Sequence, residues 1–479
     1  MTVGTDEGVS GAHETRLARV ALRFTAWTER YLPDAFVFAL LATVVVFVLG
    51  LTVAGAGPGQ LVTAWGQGFW ELTPFTMQMA LIIITGYVLA TSPPVFRLIT
   101  WLAGLPRSPR QATTLVALFA MGTSWLNWGF SLIFSSVLAR EVARRRPDAD
   151  YRALAATSFL GLGSIWAQGL SGSAALQMCT PGALPPAIRD IVARGGLVEG
   201  GIIPLRHTIF LWQSLAAVAV EILVVAVVVW LITPSAAAAR SAASLGIELG
   251  PAPGAEPTAG PRSPGEWLEH SPLLNVAVVV LGGAYLALRL ARAPSVVAAI
   301  NLDVINLFFL LLGFALHGTP ARLMRAFREA TPAVWGVLLQ FPFYAGIAGM
   351  IVHTHLNARI AAVLVAISSR TTFPPLIALY SAALGVFVPS GGSKWVIEAP
   401  YVMTAAHDLK VHLGWMVAVY DLGEALANLV QPFWMLPTLA ILRLKARDVM
   451  GYTFVVFLVL LPVVILLVTA LGLTLPYPL

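Results

Sequence analysis

Four apolar segments of this 479-residue chain are each interrupted by small, polar or helix-breaking residues. The interruptions have the sequences "SWLNWGF", "QGLSGS", "VPSGGSK" and "DLGEALANLVQP". Hydroxyl and amide groups can orient a ligand without the cost of burying a full charge. We therefore predict a site for a small ligand, with Ser124, Asn127, Gly129, Gln168, Ser171, Gly172, Ser173, Pro389, Ser390, Gly391, Gly392, Ser393, Lys394, Asn428 and Gln431 as binding residues.

Three ionisable residues lie in the same interruptions. Such groups are costly inside a membrane and usually functional. Lys394 could attract a substrate carboxylate, or it could pair with Glu398 four positions along a helix. Asp421 or Glu424 could carry a coupling proton, help to hold Na⁺, or form a structural pair.

The composition is that of a membrane protein. Hydrophobic residues make up 58% and charged residues 11% of the chain, whereas soluble domains carry about 25% charged residues. The formal charge of +6 comes from basic residues beside apolar spans, which favours contact with anionic lipid over nucleic acid. Phosphate-loop, zinc-ligand and nucleophile-elbow spacings are absent from the sequence, so we expect no cofactor, no transition metal and no enzymatic activity.

The interruptions have a physical consequence for the backbone. Non-helical backbone cannot face lipid, because each unsatisfied N–H or C=O group costs several kcal/mol. The chain should therefore turn back near the membrane midplane, inside protein. Helix N-termini there would suit a carboxylate, and freed carbonyls would suit Na⁺ at the hairpin tips. Alternatively, the small residues only let helices pack closely.

The order of segments repeats along the chain. Asn127 and Gln168 are 41 positions apart, and so are Ser390 and Gln431. We predict an all-α polytopic membrane protein with about nine transmembrane helices and two re-entrant helical hairpins in an inverted repeat. Its parts are a tail with an amphipathic surface helix (1–33), a first repeat (34–232) with a re-entrant hairpin at 112–145 and a broken helix at 152–178, a flexible linker (233–268), and a second repeat (269–479) with a re-entrant hairpin at 375–407 and a broken helix at 413–441.

Basic residues give the orientation by the positive-inside rule. The stretches expected in the cytoplasm are "AREVARRRPDADYR", "ARLMRAFRE" and "LRLKARD". With nine spans, the N-terminus is cytoplasmic and the C-terminus is outside. The two hairpins then enter the membrane from opposite sides.

Several motifs resemble the short-chain fatty acid transporter family of the AtoE type, within the ion-transporter superfamily. They are "NWGFSLIFSSVLAREVARR", "LSGSAAL", "FPFYAGIAGM", "VPSGGSKWVIEAP" and "NLVQPFWMLPTLAILRLKARDVMGY". The resemblance runs from about residue 20 to the C-terminus, except for the linker. It implies uptake of monocarboxylates such as acetoacetate or butyrate across a bacterial inner membrane, coupled to Na⁺ or H⁺, by a multi-pass protein. Relatives in the superfamily are often dimers, so the resemblance suggests a homodimer.

The chain departs from the family pattern at the predicted site. Lys394 and Glu398 stand where relatives commonly carry Gln, and Glu424 stands where they carry Asp. These departures bear on the substrate and the coupling ion more than on the fold. The alternatives are a carrier for another organic anion such as a dicarboxylate, favoured by the charge of Lys394, and an anion channel, since broken helices also build selectivity filters.

Overall fold

The computed structural model describes residues 35–236, 238–249, 263–293, 296–387 and 391–479. Within these ranges the chain is helical and contains no strand. The predicted tail at 1–33 and the tip residues Pro389 and Ser390 lie outside the described residues, as does the side chain of Ser393.

Helices α1 to α10 form the first half. They are α1 (Ala35–Thr52), α2 (Pro58–Phe69), α3 (Thr73–Ala90), α4 (Pro93–Leu102), α5 (Pro109–Leu126), α6 (Trp128–Arg145), α7 (Tyr151–Leu160), α8 (Ser173–Cys179), α9 (Pro186–Val192) and α10 (Trp212–Ile232). A π-helical turn (Gly161–Ile165) and a 3₁₀ turn (Trp166–Gln168) follow α7 and break it from α8.

Helices α11 to α22 form the second half. They are α11 (Pro264–His270), α12 (Leu273–Arg292), α13 (Val296–Ala299), α14 (Leu302–His317), α15 (Pro320–Ala330), α16 (Trp335–His353), α17 (Leu356–Ile367), α18 (Phe373–Phe387), α19 (Gly391–Leu409), α20 (Leu413–Ala427), α21 (Leu436–Leu442) and α22 (Ala446–Gly472).

The interrupted segments lie at the centre of the molecule. In the most apolar 18-residue window of Tyr151–Cys179, 94% of the residues are buried, whereas in that of α12 only 11% are. Every residue of α20 is buried. Because irregular backbone needs partners that lipid cannot supply, the unbroken apolar helices take the periphery and the broken ones take the core.

Six helices among the described residues are long and apolar enough to cross a membrane. Four shorter apolar helices accompany them, among them α14 and α17. The chain is therefore a multi-pass helical protein, as its composition predicted. The count of about nine spans stays a prediction.

Two helical hairpins occupy the places of the first and third interruptions. Asn127 is the only residue between α5 and α6, and the Ser131 hydroxyl donates back to the Ala120 carbonyl across the turn (2.7 Å). The arms α18 and α19 are joined by a hydrogen bond between the hydroxyls of Tyr380 and Tyr401 (2.9 Å). Each chain segment therefore folds back on itself.

Glycines set the closest helix contacts. A Cβ on Gly423 of α20 would lie 2.4 Å from the Ala378 carbonyl oxygen of α18. A Cβ on Gly68 of α2 would lie 2.6 Å from the Ala345 carbonyl oxygen of α16. Helix α2 is not predicted from the sequence, because its segment "PGQLVTAWGQGF" is short and lacks a continuous apolar run.

Residues 238–249, inside the predicted linker at 233–268, are hydrogen-bonded to the first half. The Tyr151 N–H donates to the Arg240 carbonyl (2.8 Å), and the Arg240 N–H donates to the Asp150 carboxylate (3.0 Å). The Arg144 guanidinium donates to the Leu249 carbonyl (2.6 Å). Amino-acid composition does not reveal that this segment packs on the first half, because the segment is held largely by hydrogen bonds of its backbone.

We expect Gly423→Ala to destabilise the protein, because the new methyl group meets backbone rather than a flexible side chain. The matched control is Gly122→Ala in α5, where a Cβ has no atom within 4 Å and alanine favours the helix by roughly 0.5–1 kcal/mol. Thermal unfolding in detergent should show a lower Tm for the first variant and an unchanged or higher Tm for the second. Equal Tm values would contradict the close contact.

Candidate functional site

The tip of the first hairpin is capped by its own side chain. Asn127 has an extended backbone (φ −155°, ψ 116°), and its Oδ1 accepts from the Phe130 N–H at the start of α6 (2.8 Å). Its Nδ2 and the Ser124 hydroxyl are buried and have no hydrogen-bond partner among the described residues. Gly129 lies against the Ile82 carbonyl, because a Cβ on Gly129 would lie 3.2 Å from that oxygen.

The first broken helix is bonded to this tip. The Ser171 hydroxyl accepts from the Trp128 N–H (2.9 Å), which is the first N–H of α6. The Leu170 N–H donates to the Trp125 carbonyl (2.7 Å). A Cβ on Gly172 would lie 2.0 Å from a backbone oxygen, so only glycine fits this turn.

Gln168 is bonded to a buried carboxylate that was not among the predicted site residues. Its Nε2 donates to Oε1 of Glu221 in α10 (3.0 Å), and both side chains are buried. The signal was present, because an acidic residue inside an apolar span is a functional candidate. The same Gln168 lines a narrow gap with Asp421 of α20.

Lys394 of the second hairpin is fully buried and holds two carboxylates. Its Nζ lies 3.4 Å from Oε1 of Glu398 and forms an ion pair with Oε2 of Glu424. It also donates to the Ser381 carbonyl (2.6 Å), while the Ser381 hydroxyl donates to Glu398 (2.5 Å). Of the two roles left open for Lys394, the structure shows the pair with Glu398, and it adds Glu424 from a different helix.

The start of α19 is held by side chains from both halves. The Tyr420 hydroxyl of α20 donates to the Gly391 carbonyl, and the Gln177 side chain of α8 donates to the Gly392 carbonyl (2.7 Å). A Cβ on Gly391 would lie 2.5 Å from the Trp166 ring. Gln177 was missed, since nothing local marks its distant partner.

The second broken helix faces the first. Asn428, after α20, donates to the Leu162 carbonyl in the π-helical turn (3.1 Å), and Gln431 donates to Asn428 (2.7 Å). Asp421 is buried, and its Oδ2 has no hydrogen-bond partner within the described part of the chain. The side-chain amides of Asn428 and Gln431 thus link the two broken helices. The Asp421 carboxylate has no bonded cation among the described residues.

One small cavity lies between the first three interruptions. Its volume is about 20 Å³, which is room for about one water molecule. Of the predicted residues, Ser173, Gly391 and Gly392 line it, whereas Asn127 lines an apolar cavity of about 520 Å³ between α5 and α14. The full lining is Met79, Ile83, Trp128, Leu162, Trp166, Ser173, Val337, Phe341, Gly391, Gly392 and Trp434.

We expect Ser171→Ala to destabilise the protein, because it leaves the buried Trp128 N–H without its acceptor, at a cost of about 1–3 kcal/mol. The control is Ser158→Ala, another buried serine, whose hydroxyl donates only to the Ala155 carbonyl of its own helix. Chemical or thermal unfolding should give a clearly lower free energy of unfolding for Ser171→Ala than for Ser158→Ala. Similar losses would show that the tip and the break are not bonded.

Comparisons with known proteins agree on one group. The sequence model of the family described as "Short chain fatty acid transporter" matches residues 16–473. A protein of Escherichia coli named for short-chain fatty acid transport is 37% identical, over 91% of this chain and 96% of its own. A protein of Haemophilus influenzae with the same name is 34% identical, over 94% of this chain and 99% of its own.

Two solved structures share the fold. The YdaH transporter of Alcanivorax borkumensis superposes with a TM-score of 0.57 at 15% identity, over 93% of this chain and 99% of that chain. MtrF of Neisseria gonorrhoeae, described within a class of antimetabolite efflux pumps, superposes with a TM-score of 0.56 at 14% identity, over 95% and 98%. At such identities the likeness concerns the fold alone.

Proposed function

Because the chain belongs to the short-chain fatty acid transporter family, we propose that it is a secondary active transporter that takes up monocarboxylates of the acetoacetate and butyrate kind across a bacterial inner membrane. The observation that carries the proposal is the central cavity, which is lined by residues of the first three interruptions, namely Trp128, Ser173, Gly391 and Gly392. We propose that the hairpins α5–α6 and α18–α19 are re-entrant and enter from opposite sides.

The helix starts around the cavity support an anionic substrate. Helix α6 begins at Trp128 and α19 begins at Gly391, and both residues line the cavity. The N-terminus of a helix carries unpaired N–H groups and a partial positive charge, which together favour a carboxylate. Lys394, one turn into α19, is the nearest full positive charge on that hairpin.

The size of the cavity supports a moving hairpin. A volume of about 20 Å³ is room for about one water molecule, too little for a four-carbon acid. The substrate therefore needs the second hairpin to move away from the first half. We propose that this movement opens the site to one side of the membrane at a time.

The charges support a monocarboxylate over a dicarboxylate. The dicarboxylate alternative rested on a surplus positive charge at Lys394. That ammonium already has Glu398 and Glu424 as partners. Without a surplus, a second substrate carboxylate would have no counter-charge among these groups.

We propose H⁺ as the coupling ion, with Na⁺ at the hairpin tips as the second candidate. Four carboxylates are buried around the interruptions, and Lys394 is the cation bonded to two of them. An excess of buried carboxylates favours proton uptake, because unpaired charge is costly in this environment. The four are Glu221, Glu398, Asp421 and Glu424.

Purified protein in liposomes should accumulate labelled butyrate and acetoacetate when the outside is made acidic, and should not do so under a Na⁺ gradient at equal pH. Labelled succinate should not accumulate. Accumulation under a Na⁺ gradient alone would identify Na⁺, and not H⁺, as the coupling ion. No uptake of either monocarboxylate under either gradient would remove the proposed substrate class.

We expect Asn127→Asp to lower butyrate uptake by about tenfold or more, which corresponds to about 1.4 kcal/mol. The change keeps an oxygen for the Phe130 N–H but adds a negative charge at the tip. The control is Ser108→Asp, which preserves the cap at the far end of the same hairpin. Uptake assays on both variants decide the point, and normal uptake by the tip variant would place the substrate elsewhere.

A further inference from the structure

We propose that Glu424 is an internal substitute for the carboxylate of the substrate. In this inference, Glu424 occupies Lys394 while the site is closed and empty, and a proton on Glu424 releases Lys394 to bind the incoming acid. The inference rests on the proposed function and assigns the coupling proton to one residue.

The two carboxylates on Lys394 are not equivalent. Glu398 lies on the same helix as Lys394, four positions on, and is bonded to Ser381 of the other arm (2.5 Å). Both of these partners belong to the hairpin and move with it. Glu424 belongs to α20, outside the hairpin, so its ion pair with Lys394 is the one that a shift of α19 relative to α20 would break.

The exchangeable pair lies directly behind the cavity wall. A Cβ on Gly391, which lines the cavity, would lie 3.4 Å from Cγ of Glu424. A Cβ on Gly385 of α18 would lie 2.9 Å from Oε2 of Glu424 and 3.5 Å from Nζ of Lys394. Glu424 therefore lies beside Gly391 of the cavity wall, and its ion pair with Lys394 lies beside Gly385.

The charges around Glu424 define the exchange. Lys394 and Glu398 face it from α19, while Asp421 and Tyr420 lie on its own helix. With both glutamates ionised, the group of Lys394, Glu398 and Glu424 carries one net negative charge. A substrate anion would raise this to two negative charges in a medium where unpaired charge is costly.

A proton on Glu424 removes that penalty. The proton comes from water and binds a carboxylate oxygen of Glu424, which then leaves the ammonium without a charge. The substrate carboxylate takes its place, and the net charge returns to one negative charge. One H⁺ therefore accompanies each monocarboxylate, and the transport step moves no net charge across the membrane.

The decisive variant is Glu424→Gln, which keeps the shape and removes the titration. Wild-type affinity for butyrate should rise by up to about tenfold for each pH unit of acidification through the range where Glu424 titrates. The variant should bind butyrate with an affinity that is independent of pH. It should exchange labelled for unlabelled butyrate across the liposome membrane but show no accumulation under a pH gradient.

The matched variant is Glu398→Gln, which removes the other carboxylate from the same ammonium. Its affinity should shift, but the dependence on pH and the accumulation under a pH gradient should persist. A Glu424→Gln protein that still accumulates butyrate under a pH gradient overturns the inference, as does loss of pH dependence in Glu398→Gln alone. If wild-type protein takes up no monocarboxylate, the proposed function fails instead.

Discussion

The structure depends on one constraint. Where a helix of a membrane protein is interrupted, its free backbone N–H and C=O groups must find hydrogen-bond partners inside the protein. The first tip and the first break satisfy each other, through the Trp128 N–H with Ser171 and the Leu170 N–H with Trp125. The second hairpin has the same dependence, because its Gly391 carbonyl accepts from a side chain of α20. The broken segments therefore have to meet, and the unbroken helices have to surround them.

The same constraint decides where charge can lie. A lysine in lipid would be costly, but Lys394 lies where two carboxylates and a carbonyl can bond to it. Burying one half of this group without the other would cost several kcal/mol. The ion pair with Glu424 joins the second hairpin to α20. The residues that pack the hairpin against α20 are therefore the residues to which we assign the proposed proton coupling.

Sequence patterns predicted the places where helices break, because Gly, Pro and Asn act locally. The turn at Asn127 and the irregular backbone from Gly161 to Gln168 lie inside the segments that the sequence marked as interrupted. Sequence patterns did not predict which residues pair across long distances in the chain. Nothing near Lys394 in the chain points to Glu424, thirty positions further on.

Other misses had different causes. Helix α2 is short and rich in Gly, and its glycine contact with α16 carries no apolar signature. Residues 238–249 resemble a linker in composition, yet their backbone bonds to Asp150. Glu221 could have been found from the sequence, since it is an acidic residue in an otherwise apolar span. The family resemblance added the substrate class, which residue spacing alone left open.

The start of α19 in the second hairpin lies against α8 of the first broken helix, and cysteine cross-linking in native membranes tests this contact. The informative protein carries Gln177→Cys, Gly392→Cys and Cys179→Ser, because Gln177 is bonded to Gly392. The control carries only Gly392→Cys and keeps the native Cys179, two positions along the same helix. A protease site is inserted between residues 250 and 262. After cleavage, cross-linked protein still runs at its full mass on a denaturing gel, whereas protein without the cross-link separates into two halves. A short thiol cross-linker should join the halves of the first protein and not those of the second, whereas equal and low cross-linking in both would contradict the account.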